Sequence, residues 1–237
     1  MHQHAGPPCA LAAELMLRAA ESHGFTHLAR FTANLCRPIP IGTLEVAVEA
    51  DYTGRNVGHF RALLTAAGKE VARFTAVAQR EANVEISAAL VDQLPRAPRS
   101  WVESQPIRFP STDGSLGYAD LMETRVAEGA FFRGPCAVWF RLRHPLVAGQ
   151  DPCAVARVTV AADSANGISG VLDFSRYVFM NNDLTINLIR PPKGEWICVD
   201  AQTSVGNTGC GLAEARLFDE VGLIGRSTQT LLIRERG

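Results

Sequence analysis

FTANLCRP, Phe31 to Pro38, and LTINLIRP, Leu184 to Pro191, are nearly the same word. Their Arg-Pro pairs, Arg37-Pro38 and Arg190-Pro191, stand 153 positions apart. The likeness runs outward in both directions. Upstream, PCALAAELMLRAAESHG (Pro8 to Gly24) matches PCAVARVTVAADSANG (Pro152 to Gly167). Downstream, GTLEVAVEA follows the first Arg-Pro and GEWICVDAQ the second, and the turn at Gly68 matches the turn at Gly222. The order is kept, so the chain holds a duplicated unit. A duplication is also an internal control: where the copies differ chemically shows which one carries an active site.

Each copy opens with a helix. Pro8 to about Ser22 has Leu11, Leu15, Met16 and Ala19 at helical spacing, with prolines to start it and Gly24 to stop it. Strand-like runs follow at 31–36, 44–50, 57–64 and 71–79. The second is the clearest, with Leu44, Val46 and Val48 alternating against Glu45, Ala47 and Glu49. In the second copy the helix runs from Pro152 to about Ala165. Asp151 is its candidate N-cap, and Asn166-Gly167 punctuates its end. Its residues are nearly all apolar, which predicts burial on every side; Arg157 must reach a rim or find a partner. Strands are expected before it at 118–126 and 137–142, and after it at 182–189, 196–204, 211–218 and 223–233.

The expected organisation is therefore α+β, in two units: residues 1–94, a connection over 95–114, and residues 115–237. The connection holds Pro95, Pro98, Pro106 and Pro110 and little periodicity. The second unit has two strands before its helix; the first has almost none, so its N-terminal strands read as missing. Open sheet edges favour association, so a homo-oligomer is expected.

Composition excludes several classes. With 23 basic and 24 acidic residues the formal net charge is −1, which gives no basic field for nucleic acid. The six cysteines show no C-x-x-C pair and no zinc-like spacing, which points to free thiols in a reducing compartment. The first residues, MHQHAGPPCALAAELMLRAAES, carry His, Glu14 and Arg18 through the apolar part and make neither a signal peptide nor a membrane span. A soluble, cytoplasmic protein is expected. There is no Walker-type loop and no G-x-G-x-x-G after a strand. His2 and His4 read as terminal disorder, and His23, His27 and His59 as solvated or capping residues. Cys153 at a helix start reads as a packed residue, since Cys9 matches it.

A long helix wrapped by an antiparallel sheet, used twice, resembles the double-hotdog fold. The second half resembles the C-terminal hotdog of the acyl-CoA thioesterase II (TesB-like) family. Its Asp183, Arg190-Pro191, Glu195-Trp196, Gly211, Asp219, Gly222 and Gln229 fall where that family has recurring residues. The first half, with HAGPP, Arg37-Pro38 and the Gly54-Arg55 turn, resembles the N-terminal hotdog. The resemblance implies hydrolysis of an acyl-CoA thioester, with no metal or redox cofactor. It implies a helix Asp, a Thr or Ser, and a Gln that hold and activate a water. Here these positions are Asp163, Asn181 and Gln229, so an amide stands where the family has a hydroxyl. Read without the family, Asp163 is a capping or turn residue, Gln229 a solvent-facing strand residue, and Asn181 a turn residue.

By matching the copies, Asp163, Asn181 and Gln229 pair with Glu21, Leu28 and Thr75. An apolar Leu holds no water, so one active site per chain is expected, in the second unit. Two rivals remain. A non-catalytic acyl-CoA or lipid-binding module fits the Asn181 departure. A hotdog hydratase or dehydratase uses a His with an Asp, but no Asp-x4-His lies in either helix.

Overall fold

The computed structural model describes residues 2–109 and 117–237. Helix α1 spans Gly6–Glu21, with prolines at its first positions, where a missing N–H costs no intrahelical bond. Four strands follow: β1 (His27–Leu35), β2 (Glu45–Thr53), β3 (Val57–Ala66) and β4 (Lys69–Gln79). Next come the short helix α2 (Ala88–Val91), strand β5 (Gln105–Ile107), the helical turn α3 (Tyr118–Leu121), β6 (Met122–Glu128) and β7 (Cys136–Leu142). Helix α4 (Ala154–Ala162) and the single turn α5 (Ala165–Ile168) precede β8 (Tyr177–Asn181), β9 (Asp183–Leu188), β10 (Ile197–Val205), β11 (Cys210–Phe218) and β12 (Leu223–Glu235).

The strands form one antiparallel sheet of twelve, in the order β2-β3-β4-β1-β9-β12-β11-β10-β7-β6-β5, with β8 on the far end of β12. Its middle is the pair β1 and β9, where Thr32 lies opposite Thr185 and their hydroxyls are 3.2 Å apart. Those two threonines are 153 positions apart, the spacing of the sequence repeat, so a pseudo-twofold axis passes between them. On either side the ladders agree: Thr32 faces Thr75 on β4, and Thr185 faces Thr228 on β12. Strands β1–β4 thus answer to β9–β12. This is the double-hotdog fold.

Alternation decides which side faces the helices. On β3, Phe60, Ala62, Leu64 and Ala66 are buried while His59 and Arg61 are exposed. The inward residues pack on α1 and α4, which lie against each other. Helix α4 is buried through Val155, Ala156 and the run Val158–Ala162. Arg157 is the expected exception; it bonds the carbonyl of Pro152 at 2.6 Å. Both Arg-Pro arginines clamp the next hairpin turn: Arg37 donates to the carbonyl of Glu70 (2.5 Å) and Arg190 to that of Gly222 (3.1 Å).

The elements differ from expectation in four places. Helix α4 starts at Ala154 with Cys153 as its cap, while Asp151 and Pro152 stay in extended chain. It stops at Asp163, so Asn166-Gly167 fall inside α5 and do not end α4. Residues 118–121 form a helical turn, with Asp120 bonded back to the Gly117 N–H at 3.1 Å, so the strand begins at Met122. Strand β8 was not foreseen; the Asn181-Asn182 pair is a kink between two strand segments, and Asn182 N–H still bonds Thr230 O at 2.9 Å. The proline-rich connection also carries structure of its own. β5 pairs with β6, and Trp101 stacks on Trp196 with ring centroids 5.1 Å apart.

Candidate active site

The C-terminal end of α4 carries Asp163, whose side chain is only 2% exposed. Three features of the chain bring partners to it. Asn181 ends β8 at the kink and donates from Nδ2 to Asp163 Oδ1 at 2.9 Å. Gln229 lies on the inward face of β12, fully buried, and donates from Nε2 to the same oxygen at 3.3 Å and to the Asp163 carbonyl at 3.2 Å. Its Oε1 accepts the backbone N–H of Asn166 at 3.0 Å, which ties α5 to the sheet. The three residues singled out in the sequence therefore meet at one carboxylate.

The other oxygen, Oδ2, faces His4 Nδ1 at 3.0 Å. His4 is thus an ordered neighbour of Asp163, not part of a frayed terminus; His2 likewise bridges to Pro40. The Gly6 N–H also points at His4 Nδ1, at 3.2 Å. One nitrogen cannot serve both as donor and as acceptor. The hydrogen bond here is the one Gly6 N–H donates to Nδ1; the approach to Asp163 Oδ2 is a side-chain contact. His4 stacks on Tyr118 with centroids 3.9 Å apart, and the Tyr118 hydroxyl bonds Val160 O at 2.9 Å and Ser164 Oγ at 2.6 Å. Burial first, and the nearby Asp163 charge, push the Tyr118 phenol far up, so it stays a neutral donor. Gly6 permits this closeness: a Cβ there would sit 3.1 Å from Val160 O, 3.2 Å from His4 Nδ1 and 3.4 Å from Asp163 Oδ2.

The site is therefore built across the seam of the two helices. The N-terminal end of α1 brings His4 and Gly6 to the C-terminal end of α4. Its sequence signal was HAGPP, a histidine two residues ahead of the helix-opening glycine. Asn166 is a turn residue by its sequence, yet its Oδ1 is buried and has no partner among the described residues.

The first half supplies no such cluster. Leu28 is buried and matches Asn181, since Leu28 faces Ala78 and Asn181 faces Leu231 at the repeat spacing. The match for Gln229 is corrected. With Thr75 answering to Thr228, Gln229 answers to Ala76, a buried inward residue, while Thr75 lies on the other face. Glu21 ends α1 in solvent. The buried carboxylate of that helix is Glu14, which is paired with Arg18 at 2.6 Å.

Chemically, two amide N–H groups on Oδ1 fix the carboxylate plane and leave Oδ2 to accept a proton. An Asn amide has a second N–H and an acceptor oxygen with which to hold a water, so it offers what a hydroxyl would. Cys153 belongs elsewhere: burial raises its thiol above the usual range, as for a packed residue. No group of three or more His, Cys, Asp or Glu placed to hold a metal occurs among the described residues. No helix among the described residues is long and apolar enough to cross a membrane.

Comparison with known proteins agrees with the fold. Residues 1–79 match the acyl-CoA thioesterase N-terminal domain, and residues 91–233 the acyl-CoA thioesterase C-terminal domain. Among solved structures, a candidate thioesterase from Novosphingobium aromaticivorans is 21% identical with a TM-score of 0.73, over 98% of this chain and 87% of that one. A hot dog protein of unknown function from Alicyclobacillus acidocaldarius is 17% identical with a TM-score of 0.70, over 96% and 87%. The acyl-CoA thioesterase II TesB2 from Mycobacterium marinum is 17% identical with a TM-score of 0.68, over 98% and 91%. At these identities the likeness to the structures is one of fold. No curated protein matches the chain in sequence. The two domain matches, in order and together spanning most of the chain, place it in the acyl-CoA thioesterase family.

Proposed function

We propose that the protein hydrolyses an acyl-CoA thioester to the free acid and CoA by a water that Asp163 activates. The observation that carries this is the meeting of Asn181, Gln229 and His4 on one buried carboxylate. Water held at Oδ2 gives its proton to Asp163 as its oxygen attacks the thioester carbonyl. The tetrahedral intermediate collapses, the C–S bond breaks, and the proton passes from Asp163 to the departing sulfur. Asn181 and Gln229 position the carboxylate and the water; His4 stabilises the charge. The first unit supplies His4 and Gly6 but no second site, which makes one site per chain. The same reading divides the chain into units 1–94 and 115–237, joined by 95–114, and makes it a homo-oligomer.

The test is thiol release from a chain-length series of acyl-CoAs. Asp163→Asn is expected to lower kcat roughly 100-fold or more, the usual worth of a general base, with the fold intact by circular dichroism. Full activity in that variant would place the base elsewhere. Absence of turnover in the wild type, with binding retained, would leave the non-catalytic module.

One observation favours a second reading. The His4–Asp163 pair at 3.0 Å is the His and Asp set that a hydratase needs, assembled from two units and not within one helix. The readings separate on a 2-enoyl-CoA substrate. Hydrolysis releases thiol and leaves the double bond; hydration removes the enoyl absorbance and releases no thiol.

A further inference from the structure

The chain has eleven phenylalanines. Six of them, Phe25, Phe31, Phe60, Phe74, Phe140 and Phe218, are core residues, each at most 1% exposed. The other five, Phe109, Phe131, Phe132, Phe174 and Phe179, all stay partly open to solvent, and they are not scattered. Starting from His4, the rings run Tyr118 (3.9 Å between centroids), Phe109 (5.3 Å), Phe131 (5.5 Å), Phe132 (6.3 Å), Phe174 (4.9 Å) and Phe179 (4.6 Å). At one end of this arc His4 touches Asp163 Oδ2. At the other, Phe179 stands two residues before Asn181, which touches Oδ1. One end of the arc thus meets the Asp163 carboxylate through His4, and the other lies on β8 two residues from Asn181.

The backbone holds the arc in place. The turn that presents Phe131 and Phe132 is bonded to the end of α5 and the residues just after it, through Phe132 N–H to Ile168 O (3.2 Å) and Gly134 N–H to Gly170 O (3.3 Å). Phe132 itself has φ +59°, a conformation bulky residues rarely take and that persists only where the surroundings enforce it. Two glycines lie against the rings: a Cβ at Gly167 would make ordinary contact with Phe109 at 3.6 Å, and one at Gly170 with both Phe132 and Phe179 at 3.6 Å. Beside Gly167 lies Asn166, whose buried Oδ1 has no partner among the described residues, an acceptor left for a water or ligand donor. Phe174 is 46% exposed, an aromatic surface that solvent would not favour without a use for it.

We propose that this arc is the acyl-binding surface and that it selects aryl-acyl thioesters, of the arylacetyl or aroyl class, over straight-chain acyl groups of equal carbon count. The proposal rests on the hydrolytic reading above. A guest ring meets ring faces and edges in the offset and edge-to-face geometries that aromatic pairs prefer. It also has fewer torsions to freeze than an alkyl chain.

The test compares kcat/KM for phenylacetyl-CoA and octanoyl-CoA on the full chain. The wild type should favour phenylacetyl-CoA by about 10-fold, the worth of one or two aromatic pairs. Phe174→Ala, at an exposed ring, should cut that preference several-fold, chiefly through KM. Tyr52→Ala, at an exposed ring 61% open on the distant edge strand β2, should leave it unchanged. Equal or better turnover of octanoyl-CoA, or an unchanged preference in Phe174→Ala, overturns the aryl proposal while hydrolysis stands. If neither thioester is cleaved, the chain-length series decides the hydrolytic reading, and calorimetric titration of the two CoA esters decides the arc. Tighter phenylacetyl-CoA binding that Phe174→Ala weakens supports it; equal affinities overturn it.

Discussion

In the proposed mechanism Asp163 accepts a proton on Oδ2, the oxygen that faces His4, and Asn181, on Oδ1, is the neighbour that departs from the family pattern. Asn181 donates to Oδ1 at 2.9 Å, a bond that a threonine hydroxyl can also make. Asn181→Thr is therefore expected to keep activity within about tenfold, and Asn181→Ala to lose roughly 100-fold, because the alanine neither fixes Oδ1 nor holds a water. Thiol-release kinetics on the two variants check this; equal losses would mean Asn181 only fills space. At this scale the sequence was informative where the resemblance named positions and mute where it did not. Asp163, Asn181 and Gln229 are spread over the second half, and nothing in their local spacing says that they touch. His4 sits in a short stretch of turn-forming residues, and its partner is far along the chain. Only the packing of α1 on α4 brings the two together.

At the scale of elements, the clamp between β9 and the β11–β12 turn is the clearest stabilising device. Asp219 is buried, which would raise its carboxyl. The two Arg190 bonds (2.6 and 2.7 Å) and the N–H groups of Lys193 and Val221 outweigh that and hold it below the usual carboxylate range. A carboxyl lowered by folding stabilises the fold above its unfolded value of about 3.9, and that stability is lost as pH falls through the lowered value. Asp219→Asn should cost about 2 kcal/mol near neutral pH, a Tm lower by about 6 °C, because it leaves Arg190 unpaired. The gap between variant and wild type should narrow below about pH 4. Thermal melts at pH 7 and pH 3 would show it; a constant gap would contradict the linkage. Strand and helix types were largely legible from alternation, but one register was not. Counting on from the Gly68 and Gly222 turns matches Gln229 to Thr75, yet the repeat spacing seen in the ladders matches it to Ala76. The second hairpin turn is longer, and a one-residue slip moves a side chain to the opposite face. Helix ends failed for a related reason: Asp-Ser-Ala-Asn-Gly holds several stop signals, and tertiary bonds to Asp163 chose the first.

For the whole molecule, the repeat in the sequence foretold the sheet. The spacing of the Arg-Pro pairs is the spacing of Thr32 and Thr185 at its centre. The two ends of that sheet are not alike. β10 is covered by β7, whereas its counterpart β2 lies at the edge with exposed residues along its length. An uncovered edge is a template for pairing, so analytical ultracentrifugation at micromolar concentration is expected to find an oligomer. A monomer throughout would overturn that expectation. The seam between α1 and α4 has a kinetic consequence as well. His4 and Gly6 arrive from one repeat and Asp163 from the other, so the proposed reactive group is completed by two units tied in a single polypeptide. Tethering sets their local concentration and their one-to-one stoichiometry whatever the dilution. Specific activity that rests on this seam should therefore stay constant down to nanomolar enzyme, where a catalyst assembled from separate subunits would fall silent.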